Sequence, residues 1–291
     1  MPALDERLID LHVHTTASDG SLAPGECVAL AARLGLAAIA ITDHDTVAGN
    51  APALARGAEL GFEVVPGVEI STSYQGVAIH LLGYYPAAEA PALDALLAEV
   101  REGRRERNPR ILGKLAELGC PVEAEEVAEE AGGDVVGRPH IAAVMIRRGY
   151  VSSLQEAFDR YLARGAPAHV ERRKATPAEA IATLRGAGAV PVLAHPAASG
   201  FRDPRQADAL VRAFVGLGLR GIEAHYTGHT QADVALYSRL ARTYGLVVTG
   251  GSDFHGAAKP KIQMGRGLGA LRVPAEALSG LKDEREKLAA G

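Results

Sequence analysis

Leu8-Ile9-Asp10-Leu11-His12-Val13-His14-Thr15-Thr16-Ala17-Ser18-Asp19-Gly20 is the stretch whose reading decides the fold. It begins as an apolar, β-favouring run and ends on two histidines one residue apart. Alternate side chains of a strand share a face, so His12 and His14 point the same way. Two imidazoles converging at a strand end form half of a metal site. Ser18-Asp19-Gly20 reads as a turn able to carry a carboxylate back over the same spot. Taken alone, His-x-His is more simply a buried histidine and a surface one, and the rest of the chain has to decide.

A chain of 291 residues suits one large domain or a domain carrying an insertion. Its 47% hydrophobic and 23% charged residues are those of an ordinary globular protein. A net charge of −4 speaks against a general nucleic-acid-coating role, though not against a local basic pocket. The two cysteines, Cys27 and Cys120, lie far apart and suggest a reducing compartment without a disulfide framework. No secretory signal is visible at the N-terminus, and no apolar run approaches the roughly 20 residues that span a bilayer. The expectation is a cytoplasmic protein with no membrane role.

Outward from the first strand, Pro24 to Leu34 reads as a helix, and Leu36-Ala37-Ala38-Ile39-Ala40-Ile41 as a strand covered on both faces. A helix over about 46–60 follows, then Phe62-Glu63-Val64-Val65 leading to Gly67-Val68-Glu69-Ile70, and a strand from Gly76 to Tyr84. From 91 to 165 the chain turns to Ala, Glu, Arg and Leu with helical periodicity, broken by Pro109, Pro121 and Pro139. This is a helical insertion or lid between two parts of one α/β body, 1–90 and 166–291. The strand–helix rhythm resumes with strands at 189–194, 219–224 and 246–250 and helices at 177–187, 204–217, 230–244 and 274–288. Alternation of this kind implies a parallel sheet, and seven strands suit a closed or nearly closed barrel better than an open sheet.

Each strand carries a candidate ligand: His12 and His14, then His44, Glu69, His80, His195, and finally Asp253 with His255, while Asp19 returns from the first turn. Residues ending barrel strands converge on one mouth. Imidazoles mixed with carboxylates suit manganese, zinc or iron rather than magnesium or calcium alone, and so many ligands suit two or three ions rather than one. Asp43 and Asp45 are candidates to orient imidazoles.

The order of His12-Val13-His14 with Ser18-Asp19-Gly20, Thr42-Asp43-His44-Asp45, Pro66-Gly67-Val68-Glu69, His80-Leu81-Leu82-Gly83, Ala194-His195-Pro196 and Ser252-Asp253-Phe254-His255 resembles the PHP (polymerase and histidinol phosphatase) family of metal-dependent phosphoesterases over nearly the whole chain. The resemblance implies a distorted (β/α)7 barrel with a helical insertion and a divalent cluster of three ions, manganese foremost, with zinc or iron as alternatives. It also implies a partition in which His12, His14, Glu69 and Asp253 hold one ion. Glu69 then bridges to His80 and His195 on a second, and Asp19, His44 and His255 hold a third. Arg104-Arg105-Glu106-Arg107-Asn108 and Gly137-Arg138-Pro139-His140 are similar to the subgroup that dephosphorylates nucleoside 3′,5′-bisphosphates such as pAp and trims short RNA from the 5′ end.

On that reading the enzyme is a phosphoric monoester hydrolase acting by attack of a metal-bridging hydroxide, made available because metal ions lower the pKa of water from about 15.7 toward 7. A second phosphate needs a positive pocket, for which Arg104, Arg107, Asn108, Arg138, His140 and Lys174 are candidates. Tyr226 is a candidate to stack on a base or donate to phosphate, and His229 to give the leaving group its proton. The partners expected are a nucleoside bisphosphate or short oligonucleotide substrate, with no stable protein partner implied. Two other readings stand beside this one. A metal-dependent amidohydrolase also opens with His-x-His on its first strand and ends with an Asp, and a non-catalytic nucleotide-sensing module could keep the same barrel.

Overall fold

The computed structural model describes residues 8–131, 136–172 and 174–290. In chain order the elements are β1 (Asp10–Val13), α1 (Pro24–Arg33), β2 (Ala38–Ile41), α2 (Asn50–Leu60), β3 (Glu63–Tyr74), β4 (Val77–Tyr84) and α3 (Pro91–Glu117). Then come α4 (Ala124–Ala131), α5 (Arg138–Arg147), α6 (Leu154–Ala157) running into a π-helical turn at Phe158–Leu162, and α7 (Pro177–Gly186). The last are β5 (Val190–Leu193), α8 (Pro204–Leu217), β6 (Gly221–Tyr226), α9 (Gln231–Tyr244), β7 (Val247–Gly251) and α10 (Glu276–Ala290). Local chemistry sets several starts. Thr176 caps α7 and Thr230 caps α9, each in a reciprocal box with the acid three residues on.

The seven strands follow one another around the sheet in sequence order. The ring is drawn nearly shut where Val13 pairs with Phe254 and the Asp253 N–H donates to the His12 carbonyl at 3.0 Å. Gly251 makes that approach possible: a Cβ there would lie 2.4 Å from the backbone nitrogen of His12. The expected barrel with helices is thus the fold, with three differences in detail.

The sheet is not wholly parallel. β4 runs antiparallel to both β3 and β5. Gln75 and Gly76, at φ 49° and 77°, form a tight left-handed turn that joins neighbouring antiparallel strands without a crossover helix. Nor does Pro109 break a helix. It lies inside α3, although a mid-helix proline forfeits a hydrogen bond and costs about 3 kcal/mol. The helix is held on both sides of it: Leu93, Leu97 and Val100 pack into the barrel's main cluster, while Ile111 and Leu115 belong to a separate cluster with Ile141, Met145, Leu162 and Val170. Pro121 and Pro139 sit where helices end and begin, as expected. The second helix starts at Asn50 rather than near residue 46, because the chain turns within residues 45–49, where the Thr46 hydroxyl accepts from the Ala48 N–H.

Among the described residues no helix is long and apolar enough to cross a membrane. Both cysteines are unpaired and buried.

Candidate metal centre

A register shift in β1 between Asp10 and Val13 interrupts strict alternation: Ile9 and Leu11 pack with Ala40, Leu82 and Tyr84 in the cluster that α10 closes, while His12 and His14 meet at the mouth with their Nε2 atoms 3.1 Å apart. Asp10, fully buried, accepts hydrogen bonds from the Ser252 N–H and hydroxyl and from the Gly265 N–H, tying β1 to the loop after β7. The turn over residues 15–20 brings Asp19 back, with one carboxylate oxygen 3.2 Å from His255 Nε2 and the other 3.8 Å from His44 Nε2. His44 stands beside Glu69 in a parallel bridge. Because β4 is reversed, its N-terminal half lies at the mouth, opposite Ser71, and this delivers His80.

Glu69 is the centre of the cluster. Its Oε1 lies 2.8 Å from His80 Nδ1 and 2.9 Å from His195 Nε2. Its Oε2 lies 2.9 Å from His44 Nδ1, 3.2 Å from His14 Nε2 and 3.3 Å from His12 Nε2. Two of the nine residues, His195 at φ 25° and Asp253 at φ 58°, occupy left-handed backbone, a conformation costing about 1–3 kcal/mol that persists where function requires it.

Donor atoms within 4.8 Å of one another form four overlapping groups: His14, Asp19, His44 and His255; His12, Glu69 and His195; His12, His14 and Asp253; His44, Glu69 and His80. Each of the nine residues expected as ligands falls in at least one of these groups. His80 and His195 both lie against Oε1 of Glu69, their ring centroids 5.3 Å apart, though each is grouped with a different histidine.

Whether these residues suit divalent ions can be tested on their chemistry. The His12 ring donates Nδ1–H to Glu223 at 2.9 Å, and His255 donates Nδ1–H to the Asp253 carbonyl at 2.8 Å. Since those oxygens only accept, the neutral form of each ring carries its proton on Nδ1 and has its lone pair on Nε2. Nδ1 of His44, His80 and His195 and Nε2 of His255 are buried without a hydrogen bond, although two of them lie within 3 Å of Glu69. Nitrogens and oxygens packed 2.8–3.3 Å apart but not aligned as donor and acceptor match neighbouring ligands of one ion, whose separation is about 3.0–3.4 Å for bonds of about 2.1 Å.

The electrostatics agree. Burial opposes ionisation of Glu69, Asp19 and Asp253, yet the surrounding imidazoles and Lys259 hold all three well below the usual carboxylate range. Burial likewise opposes charge on His14, but Asp253 and Glu69 raise it to about 9. His44 is pushed down to about 4, chiefly by burial, and stays neutral. The cluster demands positive charge, and divalent ions would supply it.

The mouth continues into a cavity of about 170 Å³ where Asp19, His44 and His80 face Arg104, Arg107, Arg138, Arg172 and Lys174. Of the residues expected to hold substrate, Arg104, Arg107, Arg138 and Lys174 reach it. Asn108 lies behind, its carbonyl oxygen accepting from Arg107 at 2.7 Å. His140 lines an adjoining cavity of about 400 Å³ that shares Asp19 and Pro139. Tyr226 is not in the cationic cavity: its hydroxyl donates to Asp253 Oδ2 at 3.0 Å. His229 lies behind Tyr226, donating Nδ1–H to the Ala224 carbonyl, and burial lowers its pKa. Asp43 and Asp45 do not bond to imidazoles. Asp43 accepts from Thr15 and Ser18, and Asp45 from Ser71 and Arg104.

The structure adds three residues. Glu223 holds His12 and also accepts from the His195 N–H at 2.8 Å. Lys259 donates to Asp253 Oδ2 at 2.8 Å, turning that carboxylate's other oxygen toward the histidines. Arg172 places its guanidinium 3.6 Å from Asp45. A lone acid inside the apolar run Gly221–Ala224 was the available signal for Glu223. Arg172 sits in the basic run that contains Lys174.

A barrel mouth that concentrates metal-ligating atoms at one wall and guanidinium groups at the other is suited to phosphate esters, and it defines a metal-dependent hydrolase of that class. Residues 10–163 match the family model described as the PHP domain. The chain belongs to the PHP family and is a metal-dependent phosphoesterase with a divalent metal cofactor. It is 36% identical over 246 residues to a 5′-3′ exoribonuclease of Haemophilus influenzae, covering 84% of this chain and 89% of that one. It is 34% identical over 257 residues to a 3′,5′-nucleoside bisphosphate phosphatase of Chromobacterium violaceum, covering 85% and 87%. A phosphoribosyl 1,2-cyclic phosphate 1,2-diphosphodiesterase of Eggerthella lenta is 35% identical over 256 residues, covering 85% and 94%. Among solved structures, a metal-dependent phosphoesterase of Bifidobacterium adolescentis superposes with a TM-score of 0.85 at 28% identity, covering 95% of this chain and 96% of that one. A Chromobacterium violaceum structure described as an amidohydrolase with bound sulfate gives 0.85 at 30%, covering 96% of each.

Proposed function

We propose that the protein removes the 3′-phosphate of nucleoside 3′,5′-bisphosphates, converting pAp to AMP and phosphate. The observation that carries this reading is the two-ended cavity, with metal ligands at one wall and five cationic side chains at the other. A substrate with one phosphate to cleave and another to hold fits both ends. The relative named a 3′,5′-nucleoside bisphosphate phosphatase supports it. The nine ligands would hold three ions, manganese foremost, partitioned as the family resemblance implies.

Bound divalent ions would supply a nucleophile from water near neutral pH and would neutralise charge on the phosphate oxygens. The chain's own residues do the rest. Arg107, Arg138 and Lys174 receive the phosphate that is not cleaved, and guanidinium groups fix its orientation bidentately. Tyr226 and Lys259 hold one oxygen of Asp253, so the ligand cannot rotate away. The helices between β4 and α7, within the proposed insertion 91–165, contribute Arg104, Arg107 and Arg138.

Purified protein with Mn²⁺ should release phosphate from pAp far faster than from adenosine 3′-phosphate, which lacks the second phosphate. No turnover of pAp by metal-loaded protein would overturn the assignment. Five cations in one cavity favour a phosphate ester over an amide, against the amidohydrolase alternative.

Trimming of short RNA from the 5′ end is a second reading. The adjoining cavity bordered by Ser21, His140, Ile146, Leu154 and Pro260 favours it, because it gives a longer chain room beside the metal ligands. The relative named an exoribonuclease also supports it. A 5′-phosphorylated trinucleotide degraded from its 5′ end would establish this activity, and complete resistance would exclude it.

A further inference from the structure

Asp45 follows the candidate ligand His44 in a left-handed turn, at φ 55°. Its N–H donates to the Glu69 carbonyl at 2.8 Å, and its own carbonyl accepts from Arg101 Nη1 at 2.7 Å. Its carboxylate is wholly buried. It accepts from the Ser71 N–H at 2.7 Å, the Ser71 hydroxyl at 2.9 Å, and Arg104 Nη2 and Nε at 2.5 and 3.1 Å. Arg172 stands 3.6 Å away. One residue is thereby fixed to β3 beside Glu69 and to α3 at two successive turns.

A carboxylate next to an anion-binding cavity repels the anion, so its presence there calls for a separate reason. Two guanidinium groups, those of Arg104 and Arg172, stand within 4 Å of it and supply the opposite charge. An arginine carries several rotatable bonds, and a guanidinium held on a fixed carboxylate has lost that freedom before substrate arrives.

We propose that Asp45 is a positioning residue that sets the spacing between the metal ligands and the arginines of α3. It would thereby select substrates carrying a second phosphate at that spacing. This inference rests on the bisphosphate reading above. Asp45 touches neither the metal ligands' donor atoms nor the cavity itself. Its effect passes through Arg104 and through the backbone of Glu69.

The test compares kcat and KM for pAp and adenosine 3′-phosphate in Mn²⁺-loaded wild type and Asp45→Asn, with metal content measured on each. Wild type should prefer pAp. Asp45→Asn should raise KM for pAp at least tenfold with bound metal retained, while losing far less on adenosine 3′-phosphate. Wild type that treats both esters alike overturns the bisphosphate reading and this inference with it. Wild type that prefers pAp, beside an Asp45→Asn variant that keeps the preference or loses both substrates equally, overturns the role of Asp45 alone. Should Asp45→Asn fail to fold, Arg101→Met decides, because it removes only the bond from α3 to the Asp45 carbonyl. A reduced preference for pAp supports the inference, and an unaltered one overturns it.

Discussion

Glu223, on β6, holds Nδ1 of His12, on β1, at 2.9 Å across the barrel interior, and both side chains are completely buried. The bond fixes the tautomer that leaves Nε2 of His12 facing His14 and Glu69. Partners of this kind are typically worth about 10–100-fold in metal affinity. Glu223→Gln keeps the shape but removes the charge and one of two acceptors. It should lower the metal retained after dialysis, with activity recovering as Mn²⁺ is raised. Unchanged metal content would show that Glu223 has no part in holding the ions.

Stripping the metal should destabilise the whole barrel, because buried carboxylates and orphaned imidazoles are left facing one another. A ligand present at about 1,000 times its Kd stabilises by about 4 kcal/mol, which in a chain of this size is a melting shift on the order of 10 °C. Scanning calorimetry with and without chelator measures it. Identical melting curves would argue that no ion is bound in the cluster.

Lys174 is pushed down to about 8 by burial, helped by Arg172 and Arg138, while Glu171 acts in the opposite direction and Arg104 adds to the repulsion. The sign follows. Below about pH 8 the ammonium is charged and attracts a phosphate; above it the proton is lost and the attraction goes with it. KM for pAp should therefore climb as pH rises from 8 to 10. Lys174→Met should raise KM at pH 7 and flatten that climb, whereas Lys174→Arg should extend tight binding to higher pH.

Gly251→Ala places a methyl against the backbone nitrogen and Cα of His12, and backbone cannot swing aside as a side chain can. Overpacking of this sort costs about 1–3 kcal/mol. A lowered melting temperature together with lost metal is expected, because the candidate ligands His12 and His14 lie on and just after β1, at the seam itself. A variant that melts and binds metal like wild type would mean the seam is looser than its geometry implies.

Much of the site was legible because its residue types are unusual where they stand. His12, His14, His44, Glu69, His195, Asp253 and His255 end or follow apolar runs in which packing alone has no use for them. His80 was legible as a candidate ligand but not as the product of a reversed strand, since hydrophobic pattern does not distinguish parallel from antiparallel pairing. Gln75-Gly76 held that information in its backbone preference. Pro109 misled because a local rule about helices gave way to burial on both sides of it. Asp45 read as an imidazole's partner. Only three-dimensional proximity reveals that its carboxylate binds an arginine from a helix far along the chain.

The β3–β4 hairpin carries a kinetic consequence. Glu69 and His80 share one hairpin, and such units zip in about 1–10 μs. The β1–β7 seam joins the two ends of the barrel's chain and must wait for long-range closure, the slower kind of event. A nascent chain can therefore present the central carboxylate with one imidazole early, while His12, His14, Asp253 and His255 assemble only when the ring shuts. A metal ion captured in advance would find a partial claw, and ring closure would complete its grip.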